Sequence, residues 1–440
     1  MAGRKKAPKE TKLTESLSSS IKGMIENDAS LGVTGDQLPT YKTGFDIFDY
    51  KNGCIDGEIP FIGLDGGKII TLIGKPGTGK SAAAVQLACG IAEQYENSQV
   101  IHHDFERATK KLRIMNLSKW SKEMYEEKYI YLDKDINTES VFKLIKAIYR
   151  IKSENFDALA IPSGMFDENG DETMVLPPTV IIIDSMITMR PKDLEGKEDL
   201  PTSMVASAVA KSNASFARDI LGPVYSANII LIMVNHIMDK IDTNPMQRTQ
   251  AQVNYLDQGE TVPGGHTPIF LSNYIFKFVA GEKYKEDEGF GIKGFKSIIK
   301  MVKNRSTASG ISFNMVFSQV NGFQNILSNY LYLKDNKLID GAGRGFYLKS
   351  LPNFKFTQKE FLNKYYENEE FRNAFNEILF EHLADNIPVA DANFSVEDSG
   401  EIELQFDGET GLYTDGNGNY YNDEGEPVEV EFESESTETE

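Results

Sequence analysis

Residues 74–81 form a glycine-rich loop, Gly-Lys-Pro-Gly-Thr-Gly-Lys-Ser, that fits the pattern GxxxxGK[ST] without departure. Glycines in such a loop let backbone N–H groups curl around phosphates, and the helix that follows points its positive end at them. We expect Lys80 to reach the β- and γ-phosphates of ATP and the hydroxyl of Ser81 to hold Mg²⁺. The predicted nucleotide contacts are Gly74, Lys75, Pro76, Gly77, Thr78, Gly79, Lys80 and Ser81.

Two acidic residues are candidates to complete this chemistry. Asp184 ends the apolar stretch "TVIIID", and a carboxylate at the carboxyl end of a strand would lie near the metal. Glu106 stands in "HHDFERA", 26 residues beyond Lys80, where a carboxylate could polarise the water that attacks the γ-phosphate. Asp104 competes for this role, because side chains two apart on a strand share a face. The alternative for Glu106 is a cap or an ion pair at a strand end.

Two further pairs of polar residues occur at strand ends. Asn235 and His236 close the apolar stretch "LIMV" and could sense the γ-phosphate, although a polar strand end that caps a turn is an equal alternative. Lys303 and Arg305 in "KMVKNRS" are two apart, so on a strand they face the same way. They could form a solvated pair, or reach the phosphates of a neighbouring subunit as arginine fingers do.

Two long polar segments, 190–204 and 238–267, each follow a predicted strand. The second is long for a connection within a compact domain, and such lengths are usually functional or disordered. Its amides, cations and single aromatic residue suit single-stranded nucleic acid, where backbone charge and base stacking dominate. The candidate contacts are Lys240, Arg248, Gln250, Gln252, Asn254 and Tyr255.

Continuous apolar stretches separated by helical patterns indicate an α/β fold with a mostly parallel sheet covered on both faces. Helical patterns at 80–96 and 138–151 lie between the first four of these strands. Residues 155–178, with glycine, aspartate and proline, predict a loop insertion before the fourth strand. The stretches that predict strands are 67–74, 99–106, 128–133, 179–189, 227–237, 273–283, 296–305 and 311–318.

Composition divides the 440 residues into four parts. Residues 1–38 are polar and rich in Ser and Lys, and they predict an arm with a short helix, or plain disorder. An α/β core follows at 39–324, then an aromatic-rich α+β domain at 325–394. Residues 395–440 contain sixteen Asp or Glu and no Lys or Arg, so they carry -16 of the net charge of -20 and predict a tail that is disordered or at most a hairpin.

Several functional classes are disfavoured by what the sequence lacks. Cys54 and Cys89 are too few for a disulfide framework or a zinc site, which favours a cytoplasmic protein. No run of eighteen apolar residues predicts a membrane span, and the basic start is not followed by the apolar core of a secretory signal. Residues 415–426 nearly match a calcium loop, but Tyr420 stands where glycine is needed, which favours a turn-rich hairpin.

The order of these motifs resembles that of the RecA-like strand-exchange recombinases, in the form closest to the UvsX type of tailed bacteriophages. The stretches that match are "TGFDIFDYKNG", the glycine loop, "DFERA", "IIIDS", "VNH", "PGG" at 263–265 and "VKNR", across about residues 40–320. The resemblance implies a RecA-like P-loop ATPase core, a small α+β carboxy-terminal domain and an acidic tail. It also implies a host-cell cytoplasm if the protein is viral.

The same resemblance implies roles for individual residues. Glu106 would activate water, Asp184 would support the metal, and Lys303 and Arg305 would act on the ATP of the next subunit. His236 stands where the bacterial form usually has glutamine. The two polar segments would be paired DNA-binding loops, which adds Arg190 and Lys192 to the candidate DNA contacts.

The implied assembly is a helical filament of identical copies on single-stranded DNA, which would pair its strand with a homologous duplex. The acidic tail would compete for basic surface or bind a basic loader or single-strand-binding protein, and its plain alternative is a solubility appendage.

Two other functions fit parts of the pattern. A replicative helicase of the DnaB type shares the RecA-like core and works as a hexameric ring. Such helicases carry a helical domain of a hundred or more residues before the core, whereas about 40 residues precede it here. A recombination mediator that binds ATP without cleaving it would lack the acid that activates water, and Glu106 argues against that class.

Overall fold

The computed structural model describes residues 38–387, apart from 57–58, 135, 167–169, 195–201, 240–255, 258–259, 264–266, 287–288, 308 and 343–344. Beyond them it describes residues 405–407, 412–414, 420–421 and 427–428.

Twelve α-helices lie in the described part of the chain. They are α1 (Asp46–Asn52), α2 (Lys80–Glu93), α3 (Lys111–Ser118), α4 (Lys122–Lys128), α5 (Thr138–Glu154), α6 (Phe156–Leu159), α7 (Thr202–Asp219), α8 (Leu221–Ser226), α9 (Thr267–Leu271), α10 (Asn325–Asp335), α11 (Phe361–Glu367) and α12 (Glu369–Asp385), with a 3-10 helix at Lys192–Leu194.

Thirteen strands are described up to residue 261: β1 (Thr40–Tyr41), β2 (Cys54–Asp56), β3 (Ile59–Phe61), β4 (Leu64–Asp65), β5 (Ile69–Gly74), β6 (Gln99–Asp104), β7 (Tyr129–Leu132), β8 (Ile161–Phe166), β9 (Glu172–Val175), β10 (Thr179–Asp184), β11 (Ile229–His236), β12 (Met238–Asp239) and β13 (Glu260–Thr261). The later strands are β14 (Tyr274–Tyr284), β15 (Gly294–Asn304), β16 (Ile311–Ser318), β17 (Gly322–Phe323), β18 (Ile339–Asp340), β19 (Phe346–Leu348), β20 (Leu351–Phe356), β21 (Gln405–Asp407), β22 (Leu412–Thr414), β23 (Tyr420–Tyr421) and β24 (Pro427–Val428).

A nine-stranded sheet forms the centre of the fold, in the order β17-β16-β15-β14-β5-β11-β10-β6-β7. The five neighbouring pairs from β14 to β7 are parallel, and the three pairs from β14 to β17 are antiparallel. Parallel neighbours need a crossover connection, whereas antiparallel ones follow each other through short turns. The predicted α/β fold with a mostly parallel sheet is therefore confirmed, with an antiparallel extension on one side.

Both faces of this sheet are buried, as the uninterrupted apolar stretches predict. Val180 and Ile182 of β10 pack into one large apolar cluster, while Ile181 and Ile183 pack into a second cluster on the other face. This follows from the alternation of side chains along a strand. Helix α2 lies in the first cluster, where its run of alanines brings the helix close to the sheet.

The aromatic-rich segment after residue 325 forms α10, the three-stranded antiparallel sheet β18-β19-β20, and helices α11 and α12. Its buried side chains, such as Phe361 and Phe371, belong to the same apolar cluster as the first face of the central sheet. The rings of Tyr50 in α1 and Phe380 in α12 lie 6.0 Å apart. The segment has the predicted mixture of helix and strand, and the proposed domain boundary at 324 stays a prediction.

Residues 155–178 are not the plain loop that the sequence predicts. They contain the short helix α6 and the antiparallel hairpin β8–β9, in which Ile161 pairs with Val175 and Pro162 with Met174. The alternating burial along β8 shows a strand with one covered face. Glycine and proline in the stretch mark turns and the sheet edge, where proline is tolerated because it need not donate to a ladder.

Where the acidic tail is described, it contains strands, in agreement with the predicted hairpin at 415–426. Strands β21 to β24 pair in sequence order as a small antiparallel sheet. In the sequence, apolar residues such as Phe406, Leu412 and Val428 are interleaved with turn-forming glycine, asparagine and aspartate, which is a hairpin pattern. The predicted arm at 1–38 falls almost entirely outside the described residues.

Among the helices that the structure describes, none combines the length and the apolar character needed to cross a membrane.

Candidate nucleotide-binding site

The glycine-rich loop 74–81 joins the carboxyl end of β5 to the start of α2. All six residues of β5 are buried, so the loop starts from a rigid strand. Gly77 and Gly79 have positive φ angles of 76° and 93°, which glycine adopts without the cost that a side chain would bring. A Cβ atom on Gly79 would also lie only 3.0 Å from the ring of Phe317. Glycine is therefore required at position 79 by both conformation and space.

Lys80 is held inside the curve of this loop. Its Nζ donates a hydrogen bond of 2.9 Å to the carbonyl oxygen of Lys75, which also accepts one of 2.9 Å from Thr78 Oγ1. Only 4% of Lys80 is exposed. Burial lowers the pKa of its ammonium to about 8, although the charges of Asp184 and Glu106 oppose this shift. The loop thus presents a partly desolvated cation, which suits the oxygens of a phosphate chain.

Asp184 is the last residue of β10 and its carboxyl group is buried beside the loop. Burial raises the pKa of this carboxyl to about 6, while a hydrogen bond with Ser81 and the charge of Lys80 act in the opposite direction. Its buried Oδ1 atom has no hydrogen-bond partner among the described residues. A buried carboxylate oxygen without a partner is costly unless a cation satisfies it.

Ser81 and Asp184 therefore fit a Mg²⁺ ion by their chemistry, since a hydroxyl and a carboxylate are hard oxygen donors. No group of three or more His, Cys, Asp or Glu side chains within the described ranges could hold a metal by itself. This is consistent with magnesium, which usually takes one or two protein oxygens together with phosphates and waters.

Glu106 lies just beyond β6 and is tied to the two neighbouring strands. Its Oε1 atom accepts hydrogen bonds from Ser185 Oγ at 2.6 Å and from His236 Nε2 at 3.1 Å. Its backbone N–H donates to the carbonyl of Asp184 at 3.3 Å. About a third of the Glu106 side chain is exposed. The carboxylate is thus oriented by two donors and still reaches solvent, as a group that acts on water must.

Asp104 has one oxygen engaged in structural contacts, and its other oxygen, Oδ1, is buried without a hydrogen-bond partner among the described residues. Its Oδ2 atom accepts hydrogen bonds from the hydroxyl of Tyr131 at 2.6 Å and from the backbone N–H of Thr109 at 2.9 Å. The residue is 1% exposed and pairs in register with Asp184. The geometry therefore favours Glu106 over Asp104 as the acid that faces the loop.

Asn235 and His236 connect this site with the second polar segment. His236 is in register with Gly74, the first residue of the loop. The side-chain oxygen of Asn235 accepts a hydrogen bond of 2.9 Å from the His236 N–H, and its Nδ2 donates one of 3.0 Å to the carbonyl of Pro263. Contacts therefore run from Glu106 through His236 and Asn235 to the carbonyl of Pro263.

Lys303 and Arg305 lie away from the loop of their own chain. Ile299 is the β15 residue level with Gly74, since both are aligned with Phe278 of β14. Lys303 is four residues and Arg305 six residues further toward the other edge, or about 13 and 20 Å at the usual rise of a strand. Both side chains donate to the carbonyl of Phe270, at 2.7 and 2.8 Å.

The electrostatics of this basic pair follow from its position. Burial, and then the neighbouring charge of Arg305, lower the pKa of Lys303 to about 8. Among the described residues, neither Lys303 nor Arg305 forms an ion pair with a carboxylate. The pair could bind an anion from outside its own chain.

Of the predicted DNA contacts, only Arg190 and Lys192 belong to the described residues, and both are exposed. Lys240, Arg248, Gln250, Gln252, Asn254 and Tyr255 lie outside them. The ends of the second segment are described: β12 and β13 pair so that Asp239 lies opposite Glu260. Because β10 and β11 are parallel neighbours, the two segments leave the same edge of the sheet, next to the glycine loop.

Ser185 is a functional candidate that the sequence reasoning missed. It follows Asp184 directly, and its hydroxyl donates the shorter of the two hydrogen bonds to Glu106. The sequence feature that could have identified Ser185 is a hydroxyl residue directly after Asp184, at the carboxyl end of the predicted strand.

No protein-family model matches the chain, and a search of curated proteins finds no relative. The fold and the site together define an α/β protein with a glycine loop, a buried lysine and two carboxylates at the carboxyl edge of a mostly parallel sheet.

Proposed function

We propose that this chain is a RecA-like DNA strand-exchange recombinase. It binds ATP with Mg²⁺, forms helical filaments on single-stranded DNA and pairs that strand with a homologous duplex. The observation that carries the proposal is the chain of contacts from Glu106 through His236 and Asn235 to Pro263, because it joins the acid beside the glycine loop to the end of the second polar segment.

The glycine loop and Lys80 bind the triphosphate in this proposal. The backbone N–H groups of the loop and the start of α2 face the phosphates, and Lys80 exchanges its hydrogen bond with the Lys75 carbonyl for phosphate oxygens. Ser81 and Asp184 hold Mg²⁺, which neutralises charge on the transferred phosphoryl group.

Glu106 is the general base in this scheme. Ser185 and His236 both occupy Oε1, so Oε2 is the oxygen left to accept a proton from the attacking water. When the γ-phosphate leaves, His236 loses a neighbour and Asn235 can pass the change to Pro263. ATP cleavage would in this way alter how the second polar segment holds DNA.

Lys303 and Arg305 supply the cations that stabilise the transition state on a neighbouring copy. Their distance from their own glycine loop supports action between subunits, with ATP at the seam where two copies meet. A contact that joins one surface of a copy to a different surface of the next copy is heterologous. Such contacts continue into helical filaments when they do not close into a ring.

The two polar segments bind DNA at the edge of the sheet that carries the site. The segments at 190–204 and 238–267 follow adjacent parallel strands, which places their starts side by side. Arg190 and Lys192 are available for phosphate contacts in the first segment, and the amides and Tyr255 of the second suit an extended single strand.

Electron microscopy of the full chain with single-stranded DNA and a non-hydrolysable ATP analogue tests this proposal. We expect helical filaments that need both ligands, together with ATP turnover that single-stranded DNA stimulates. Closed hexameric rings would instead favour the helicase class, and single copies under all conditions would refute assembly at an ATP seam. Filaments without strand exchange between homologous DNAs would leave a DNA-binding ATPase that is not a recombinase.

A further inference from the structure

Lys277 is a buried lysine that two carboxylates hold from one side. It lies on β14, and only 5% of its side chain is exposed. Its Nζ donates hydrogen bonds to Asp257 Oδ2 at 2.8 Å and to Glu260 Oε2 at 2.6 Å. These are the only ion pairs of the described residues in which one cation serves two acids.

One end of this ion-pair cluster touches the strand that leads into the glycine loop. Lys277 is in register with Ile73, the residue before Gly74. The carbonyl oxygen of the next residue, Phe278, lies 2.5 Å from the place that a Cβ atom on Gly74 would occupy. Lys277 is therefore part of the rigid framework beside the nucleotide site, and it is not itself one of the groups facing the phosphates.

The other end is the described final part of the second polar segment, which we call the return limb: residues 256–257 and 260–263. Leu256 and Val262 of this limb are buried against Ile73, Ile237 and Ile275. The backbone N–H of Asp257 donates to Glu260 Oε2 at 2.9 Å, so the carboxylate that binds Lys277 also closes the turn of the limb. The return limb is thus held by an apolar contact and by a charge.

The two carboxylates differ in how much they depend on Lys277. The side chain of Asp257 is 74% exposed, whereas that of Glu260 is 11% exposed. Exposed ion pairs contribute little, while a buried charge that loses its partner is strongly destabilised. Burial works against the ammonium of Lys277, but its hydrogen bonds to Asp257 and Glu260 outweigh burial and raise its pKa. Glu260 is therefore the carboxylate whose position depends more strongly on its ion pair with Lys277.

We propose that Lys277 is a positioning residue for DNA binding, which fixes the return limb of the second polar segment to the strand framework through Glu260. This inference rests on the proposed function, in which that segment contacts single-stranded DNA. Lys277 sets where the second polar segment re-enters the fold. DNA affinity therefore depends on a side chain that contacts neither DNA nor nucleotide.

The test compares Lys277→Met, Lys277→Arg and Asp257→Asn with the wild type in the full chain. DNA affinity is measured by anisotropy of a labelled oligo-dT with a non-hydrolysable ATP analogue, and nucleotide affinity by a fluorescent ATP analogue without DNA. Hydrogen exchange of the amides at 256–262 reports the return limb directly. Glu260→Gln is added because it keeps a hydrogen-bonding group at the same position and so tests the charge alone.

We expect Lys277→Met to weaken DNA affinity at least tenfold, with faster exchange at 256–262 and nucleotide affinity within twofold of wild type. Lys277→Arg should recover most of the DNA affinity, Glu260→Gln should lose a large part of it, and Asp257→Asn should stay within threefold.

Unchanged DNA affinity in Lys277→Met despite faster exchange would overturn the inference, and an equal loss of nucleotide affinity would reduce Lys277 to a general stabiliser. If the wild type itself fails to bind oligo-dT, the proposed function fails and takes the inference with it, whereas a wild type that binds isolates the role of Lys277.

Discussion

Oε1 of Glu106 lies 3.1 Å from Nε2 of His236, although β10 separates the two strands that lead to these residues. The contact is possible because Glu106 lies beyond the end of β6, where its chain crosses the end of β10 and its N–H reaches the carbonyl of Asp184. The acid, the metal-side carboxylate and the polar pair therefore form one connected site at the carboxyl edge of three parallel strands.

Replacing Lys80 should abolish ATP turnover. Lys80→Ala removes the buried cation held inside the curve of the loop, and we expect turnover to fall at least 100-fold, which corresponds to about 2.7 kcal/mol of transition-state stabilisation. Steady-state ATPase assays with single-stranded DNA measure this. Lys122→Ala is the control, since it removes an exposed lysine side chain from the first turn of α4, outside the proposed site. Turnover near wild type in Lys80→Ala would show that the site is wrongly assigned.

The two neighbouring acids should have separable roles. Glu106→Gln should lower turnover by about 100-fold or more while nucleotide binding persists, because the base is lost and the phosphate contacts remain. Asp104→Asn should chiefly lower thermal stability, by roughly 1–3 kcal/mol, because its carboxylate accepts hydrogen bonds from Tyr131 and Thr109 in a buried place. Paired ATPase and thermal-unfolding measurements distinguish them. The reverse pattern would make Asp104 the base.

Lys303 and Arg305 should act on the ATP of another copy. Lys303→Ala and Lys80→Ala should each be nearly inactive alone, and an equal mixture should recover turnover. With random assembly, about a quarter of the seams combine an intact loop with an intact cation from the neighbour. Each variant mixed with buffer is the control. No recovery in a mixture that still forms filaments would mean that the two lysines serve the same copy or that Lys303 is structural.

His103 should make the strand before Glu106 sensitive to acid. Burial, and then the neighbouring His102, lower the pKa of His103 from 6.5 to about 4. Neither ring nitrogen has a hydrogen-bond partner among the described residues. Between pH 6.5 and 4 the unfolded chain binds a proton that the folded chain does not, so stability falls as the pH drops through this range.

His103→Phe removes this titration and keeps a ring that can stack on Phe105. We expect the free energy of unfolding of the variant, measured relative to wild type, to rise by roughly 2 kcal/mol as the pH falls from 8 to 5. Urea unfolding at several pH values measures the difference. A constant difference across the range would show that His103 does not titrate as its burial implies.

Removing the acidic tail should strengthen DNA binding. Residues 395–440 carry sixteen acidic and no basic residues, so deletion removes charges that compete with phosphates for basic surface. We expect roughly tenfold tighter DNA binding at low salt. The gain should shrink as salt rises, because salt screens the attraction of basic surface both to the tail and to DNA phosphates. A chain of full length with Asn and Gln in place of these acids is the control for chain length. Equal affinity at every salt concentration would leave the tail as a solubility appendage.

Long, strongly apolar stretches were predictable from the sequence to within a few residues. The stretch 179–189 becomes the strand Thr179–Asp184, and 311–318 is the strand Ile311–Ser318 as predicted. Burial on both faces leaves no polar alternation in such strands, so their type and approximate position are local properties. The hairpin β8–β9 was missed because short strands with glycine and proline look like turns in sequence, whereas a hairpin around residues 415–426 was predicted.

The sequence by itself determined the loop 74–81, the carboxylate at the end of its partner strand and the class of fold, because spacing along one chain sets these features. Tertiary structure alone gave Glu106 and Asp104 different contacts, brought Ser185 and His236 to the same oxygen, and separated Lys303 and Arg305 from their own loop. Those relations depend on strand order and register, and strands far apart in sequence become neighbours only when the sheet is assembled.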